Sequence, residues 1–135
     1  MAKNITLFRP VGAEELVFII DSGMKSFPPR LYWQPIFYPV LNFQYAAEIA
    51  ERWNMGDTDG DGAGFVTQFE IPEGYIEEFA IQTVGLAHHQ ELWVPAERLD
   101  EFNRNIVEGI RVTKAFLGNR FVVPDKIKQL LTERK

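Results

Sequence analysis

The sequence predicts one domain of the α+β class, with mostly antiparallel sheets flanked by helices, on three observations. Apolar residues recur at helical spacing in several stretches and alternate with polar ones in others, so helices and strands are both present. The later strand-like runs lie too close together for the crossovers that parallel strands need, which favours antiparallel pairing. A chain of 135 residues, 46% hydrophobic and 13% aromatic, suits a single domain with a substantial core and is no disordered polymer.

In chain order, Ile5–Arg9 reads as a short strand closed by Pro10 and Gly12. Glu14 and Glu15 favour a helix start, Leu16, Val17, Ile19 and Ile20 supply its buried stripe, and Gly23 ends it. From Ser26 to Pro39 four prolines remove amide donors, so only short or edge strands fit there. Asn42 is a good N-cap for a helix whose Ala46, Ile49, Ala50 and Trp53 share one face, with Gly56 as its stop. An acidic, glycine-rich loop occupies 57–64, and a strand follows in which Phe65, Thr67, Phe69 and Ile71 alternate with Val66, Gln68 and Glu70 up to Pro72. Strands are expected over Phe79–Val84 and His89–Val94. Leu99, Phe102 and Ile106 recur at helical spacing, with Ile110 next in the series, and Gly109 marks the break before an alternating run from Ile110 to Phe116. Pro124 opens a C-terminal helix over 124–135, with Ile127, Leu130 and Leu131 facing inward.

With 14 Lys and Arg against 19 Asp and Glu, the chain has a formal net charge of −5 and no basic cluster. Generic binding to nucleic acid or to an anionic membrane is not expected, because phosphate contacts need clustered cations. The absence of Cys removes disulfides, Cys–zinc sites and thiol nucleophiles. The opening MAKNITLFRP lacks the apolar core of a signal peptide, and Leu16–Ile20 is too short to span a bilayer. A cytoplasmic location is the expectation.

Four groups of residues invite a chemical reading. Asp57, Asp59, Asp61 and Gly62 match the start of a calcium-binding EF-hand loop, but Gly64 and Gln68 break the pattern where an aliphatic residue and a bidentate Glu belong. A solvated acidic turn accounts for them, and no metal is expected. His88 and His89, if they lie on a strand, point to opposite faces and cannot share an ion. In HQELWVP, Leu92 and Val94 facing the core would turn Glu91 the other way, flanked by His89 and Trp93. That carboxylate either lines a cleft, where it would suit general-base work or stabilisation of a developing cation, or lies on a solvated face. Tyr32, Trp33, Phe37, Tyr38, Phe43 and Tyr45 crowd one segment beside Arg30, which could stack a planar ligand and clamp an anion or simply build core. Arg9 is open to either a salt bridge or a ligand contact. No phosphate-binding glycine loop, GxSxG elbow or HExxH helix occurs.

The segments LFRPVG, FPPRL, QPIFYPVLN and HQELWVPAERL, in this order, resemble a small bacterial family labelled "ADP-ribosylation/crystallin J1" over nearly the whole chain to about Phe116. Through it the chain resembles the mono-ADP-ribosyltransferase-like fold, with its strongly bent sheets. The resemblance implies NAD, or another ADP-ribose-containing molecule, as ligand and substrate. It puts Arg9 at the first-strand position that holds the ribose or adjacent phosphate, and Tyr38 or Tyr45 where an aromatic ring stacks on nicotinamide. Glu91 takes the place of the last-strand Glu that stabilises the oxocarbenium-like state. Departures are the absence of a Ser-Thr-Ser segment, of a second Glu just before Glu91 and of a first-strand His. Transferase and NAD glycohydrolase chemistry both fit the resemblance. So does a non-catalytic immunity or regulatory module that binds a protein partner through the aromatic surface.

Overall fold

The computed structural model describes residues 3–54, 62–118 and 121–133. They form two antiparallel sheets of three strands each. The first has the order β1 (Asn4–Val11), β3 (Ala63–Pro72), β6 (Val107–Leu117), and the second β2 (Ile36–Phe37), β5 (Gln90–Pro95), β4 (Ala80–Thr83). Five helices pack around them: α1 (Ala13–Asp21), α2 (Phe43–Asn54), α3 (Glu73–Ile76), α4 (Leu99–Arg104) and α5 (Asp125–Glu133). None is long and apolar enough to cross a membrane.

Strand β1 runs past Pro10 to Val11 instead of ending before it. Phe8, of the same parity, exchanges both its backbone bonds with Val40, at 2.9 and 2.7 Å, on the side away from β3. The amide that Pro10 lacks therefore falls on that outer side, and the ladder to β3 loses nothing. Val40 also bridges to Glu91, and its neighbours add bonds from Leu41 N–H to Gln90 O and from Leu92 N–H to Pro39 O. Pro39–Leu41 thus stitches β1 to β5 and holds the two sheets together at one point.

The alternation read from β3 is real, but the strand is covered on both faces. Phe65, Phe69 and Ile71 join Leu7, Leu16, Ile19 and Phe27 in the main core, where Phe27, Phe37, Phe69 and Phe102 meet ring to ring. Val66, on the other face, packs under Ala46 and Ala50 of α2. The approach is so close that a Cβ on Gly64 would lie 2.0 Å from the Ala50 carbonyl oxygen. Thr67 is buried in this sheet and donates its hydroxyl to the Arg9 carbonyl at 2.7 Å.

Four further expectations are corrected. The helical spacing through Ile106 and Ile110 does not hold, because α4 ends at Arg104, where the Asn105 side chain donates Nδ2 to the Glu101 carbonyl. Gly109 is no boundary: with Glu108 it forms a left-handed pair, φ 82 and 62, that bulges within β6 so that Ile110 still pairs with Phe69. The strand expected from His89 starts at Gln90, and the one expected over Phe79–Val84 spans only Ala80–Thr83. Asp57, Asp59 and Asp61 of the acidic loop, and Gly56 before it, lie outside the described residues.

Candidate functional site

A cleft of about 570 Å³ opens beside the stitch, between the end of β1, the start of α2 and β5. Its size falls in the ordinary range for small-molecule sites. Arg9, Arg30, Tyr38, Tyr45, His89 and Glu91 line it together with Glu15, Gln34 and Arg52. Six of the residues singled out from the sequence therefore share one cavity, whereas Tyr32, Trp33, Phe37 and Phe43 of the aromatic segment do not line it. Trp93 stands beside it and donates its indole N–H to Glu91 Oε1 at 3.0 Å.

Arg9 is held by the register of β1 and is only 7% exposed. Its Nε and Nη2 donate to the two oxygens of Glu15 at 2.8 and 3.2 Å, and its guanidinium lies 4.7 Å from the centre of the Phe37 ring. Of the two sequence readings the salt bridge is the one observed, and Arg9 also lines the cleft. The fork uses one edge of the planar guanidinium and leaves Nη1 as a donor. Arg30 donates Nε to the Ile36 carbonyl at 3.1 Å, and the Tyr38 ring stands about 6 Å from both guanidiniums. Burial, and then repulsion by Arg9, hold the Arg30 pKa below its ordinary value. Arg9 is already paired with Glu15, and an anion placed between the two guanidiniums would relieve their remaining repulsion. Three guanidiniums, Arg9, Arg30 and Arg52, face two carboxylates here, within a chain whose overall charge is negative.

The other wall is built around Glu91. Leu92 and Val94 are buried in the core, so strand alternation turns Glu91 and Trp93 outward together. Tyr45 OH donates to Glu91 Oε2 at 2.7 Å, and the Trp93 indole holds Oε1. Both carboxylate oxygens thus have a fixed donor. Burial first, and then the hydrogen bond to Glu91, push the Tyr45 phenol well above its usual pKa, so it remains a donor across the neutral range. Tyr45 is placed by the cap of α2: its amide donates to Asn42 Oδ1 at 2.8 Å, while Asn42 Nδ2 donates to the His88 carbonyl at 2.6 Å.

The two histidines depart from the alternation argument. Because β5 begins after them, neither ring is bound to a strand face, and both reach Glu48 on α2: His88 Nε2 lies 3.0 Å from Oε2 and His89 Nε2 3.1 Å from Oε1. One ligand atom from each of these three residues lies within 4.8 Å of the others, a metal-like spacing that the sequence reading did not anticipate. Hydrogen bonds to His88 foremost lower the Glu48 pKa, so this carboxylate is an anion at neutral pH. Both nitrogens of His89 are engaged, one by Glu48 and the other by the Leu86 amide, so His89 meets the cleft with its ring and not with a free polar atom.

Glu15 and Glu48 are the partners of these side chains that sequence reasoning passed over, while Asn42, read as the N-cap it is, also bonds the His88 carbonyl. Glu48 carried a usable signal, since it lies one turn from Tyr45 on the same helix. Glu15 carried none, because no periodicity links a strand residue to a helix residue six positions on. Comparison with protein-family models, with curated proteins and with solved structures finds no match.

Proposed function

We propose that this cleft binds NAD or another ADP-ribose-containing molecule, and that Glu91 acts in cleaving the bond between nicotinamide and ribose. The observation that carries the reading is the pairing, in one cleft, of a partly desolvated cationic wall, Arg9 and Arg30, with a carboxylate held by two donors, Glu91. The cations suit the diphosphate of such a ligand. The carboxylate suits the positive charge that develops on the ribose as neutral nicotinamide leaves. The C–N glycosidic bond breaks with its electrons going to nicotinamide. A nucleophile, water or an acceptor group, then forms the new bond to the same carbon and gives up a proton. Tyr38, whose ring centre lies about 6 Å from both guanidiniums, offers a face on which a planar ring can stack. The resemblance to the ADP-ribosyltransferase-like family supports the same assignment of Arg9 and Glu91.

Calorimetric titration with NAD tests the premise without an acceptor: saturable heat is expected, and none up to millimolar NAD, with an unchanged melting temperature, would remove it. Release of nicotinamide from bound NAD should then vanish in Glu91→Gln while the fold persists. A second reading, a module that binds a protein without turnover, is favoured by one observation. Leu31, Tyr32 and Trp33 are exposed beside Arg30, with Tyr32 95% and Trp33 61% accessible. Capture of a partner protein with no affinity for NAD would decide for it.

A further inference from the structure

We propose that Glu48 and His89 are positioning residues for Glu91, acting through Tyr45, with His89 locked as the neutral tautomer that carries its proton on Nε2. The proposal rests on Glu91 being the working carboxylate of the reading above. The Leu86 amide donates to His89 Nδ1 at 3.1 Å, so Nδ1 is an acceptor. A neutral imidazole with an accepting Nδ1 must carry its hydrogen on Nε2, and that nitrogen lies 3.1 Å from Glu48 Oε1. Charging the ring would set a second N–H against the Leu86 amide. The seat is close-fitting: a Cβ on Gly85 would lie 2.5 Å from His89 Nδ1, so a larger residue there would push the ring out of this position.

The locked imidazole lies against Tyr45, with ring centres 4.5 Å apart and planes 22° from parallel. Tyr45 in turn holds Glu91 Oε2 at 2.7 Å. Its backbone is pinned by Asn42 and its ring by His89, so the phenol has little freedom left to leave the carboxylate. Glu48 is steadied by Gln44, which donates to it at 3.3 Å, and by His88. An anion that must meet a developing charge gains from such preorganisation, because it need not reorient during the reaction.

The same atoms offer a rival reading as a divalent-metal site. A ring that binds metal through Nε2 presents a lone pair there and carries its hydrogen on Nδ1, usually donated to an oxygen. The Leu86 amide faces Nδ1 with the opposite polarity, which argues for the hydrogen-bonded relay.

Side-chain 1H–15N spectra of the full chain decide between them. The relay expects His89 Nδ1 at a pyridine-like and Nε2 at a pyrrole-like shift, with no stoichiometric response to zinc. A pyrrole-like Nδ1, or tight one-to-one zinc binding that moves both histidines, overturns it. The Trp93 indole N–H, assigned through Trp93→Phe, reports the orientation of Glu91 and requires no NAD. Glu48→Ala and His89→Ala should move that resonance in the direction of Glu91→Gln, and Glu48→Gln, which keeps an acceptor, should restore it. An unmoved resonance in both alanine variants, with folding intact, overturns the relay. In nicotinamide release, Glu48→Ala should lower kcat by about 10–100-fold with KM for NAD little changed. Equal loss in Glu48→Gln would also count against it. Absence of release in the wild-type chain counts against the proposed function, whereas the spectra judge the relay by themselves.

Discussion

The two sheets differ in what they can bear. Strands β1, β3 and β6 have 8, 10 and 11 residues, and the middle one is buried on both faces for much of its length. Strands β2, β5 and β4 have 2, 6 and 4 residues, and every residue of β4 is exposed. Long, covered strands carry stability, whereas short strands with few buried contacts open locally at low cost. The candidate site draws Arg9 from the first sheet and Glu91 from the second. Under the proposed function, ligand anchoring falls to the longer sheet and the reacting carboxylate to the lighter one. The lighter part makes up for its small core with side-chain hydrogen bonds: Tyr45 and Trp93 on Glu91, Asn42 on the His88 carbonyl, and the Glu48 pair.

The contrast can be broken at several strengths. Gly64→Ala should do most damage, since the new methyl meets the Ala50 backbone and α2 must leave β3. A loss above the roughly 1–3 kcal/mol of ordinary overpacking is expected in chemical denaturation. Phe102→Ala strikes both sheets at once, because its ring touches Phe37 of one and Phe69 of the other. About 3–5 kcal/mol should be lost, with a single cooperative transition retained. Glu91→Gln sharpens the comparison from the other side: nicotinamide release falls by about 10²–10³-fold while stability stays within roughly 0.5 kcal/mol of wild type. Amide exchange should run orders of magnitude faster over Ala80–Thr83 than over Phe65–Ile71, and Ile81→Thr should cost less than about 0.5 kcal/mol. Equal protection of the two strands would erase the distinction.

The smallest effect is one of pH. Burial first, and then their carboxylate partners, hold the Tyr45 and Tyr75 phenols above the ordinary tyrosine value of 10.0. A phenol harder to ionise in the folded chain contributes stability that is full below that value and is lost as the pH rises beyond it. Tyr45→Phe and Tyr75→Phe should therefore leave the phenolate absorbance of the folded chain at about pH 11 unchanged. A step in absorbance lost with either substitution would refute the shift.

Glu91 was legible because Leu92 and Val94 declare which face of β5 is core, and period two then turns Glu91, next to Leu92, to the opposite face. The strands were mostly legible in kind, and least so where backbone irregularity sets their limits. The bulge at Glu108 and Gly109 looks like a terminator in one dimension. Pro10 looks like one as well, until the free side of its strand is known. The histidine cluster was misjudged by a single residue of strand boundary: with His89 outside β5, alternation no longer separates it from His88. The stitch at Val40 had no signature, because it consists of main-chain bonds and any residue other than proline could make them.

That last point bears on how the site can vary among sequences. Phe8 and Glu91 both pair with Val40, so the span across the cleft from Arg9 to Glu91 is set by peptide groups that are the same whatever side chain they carry. Substitutions around the stitch can change what fills the cleft, its charge and its preference among ligands, without altering its width. An inserted or deleted residue between Pro39 and Leu41 would shift the register and separate the two functional walls at once. Within Pro39–Leu41, replacement that respects the burial of Val40 keeps the register, whereas a change of length does not.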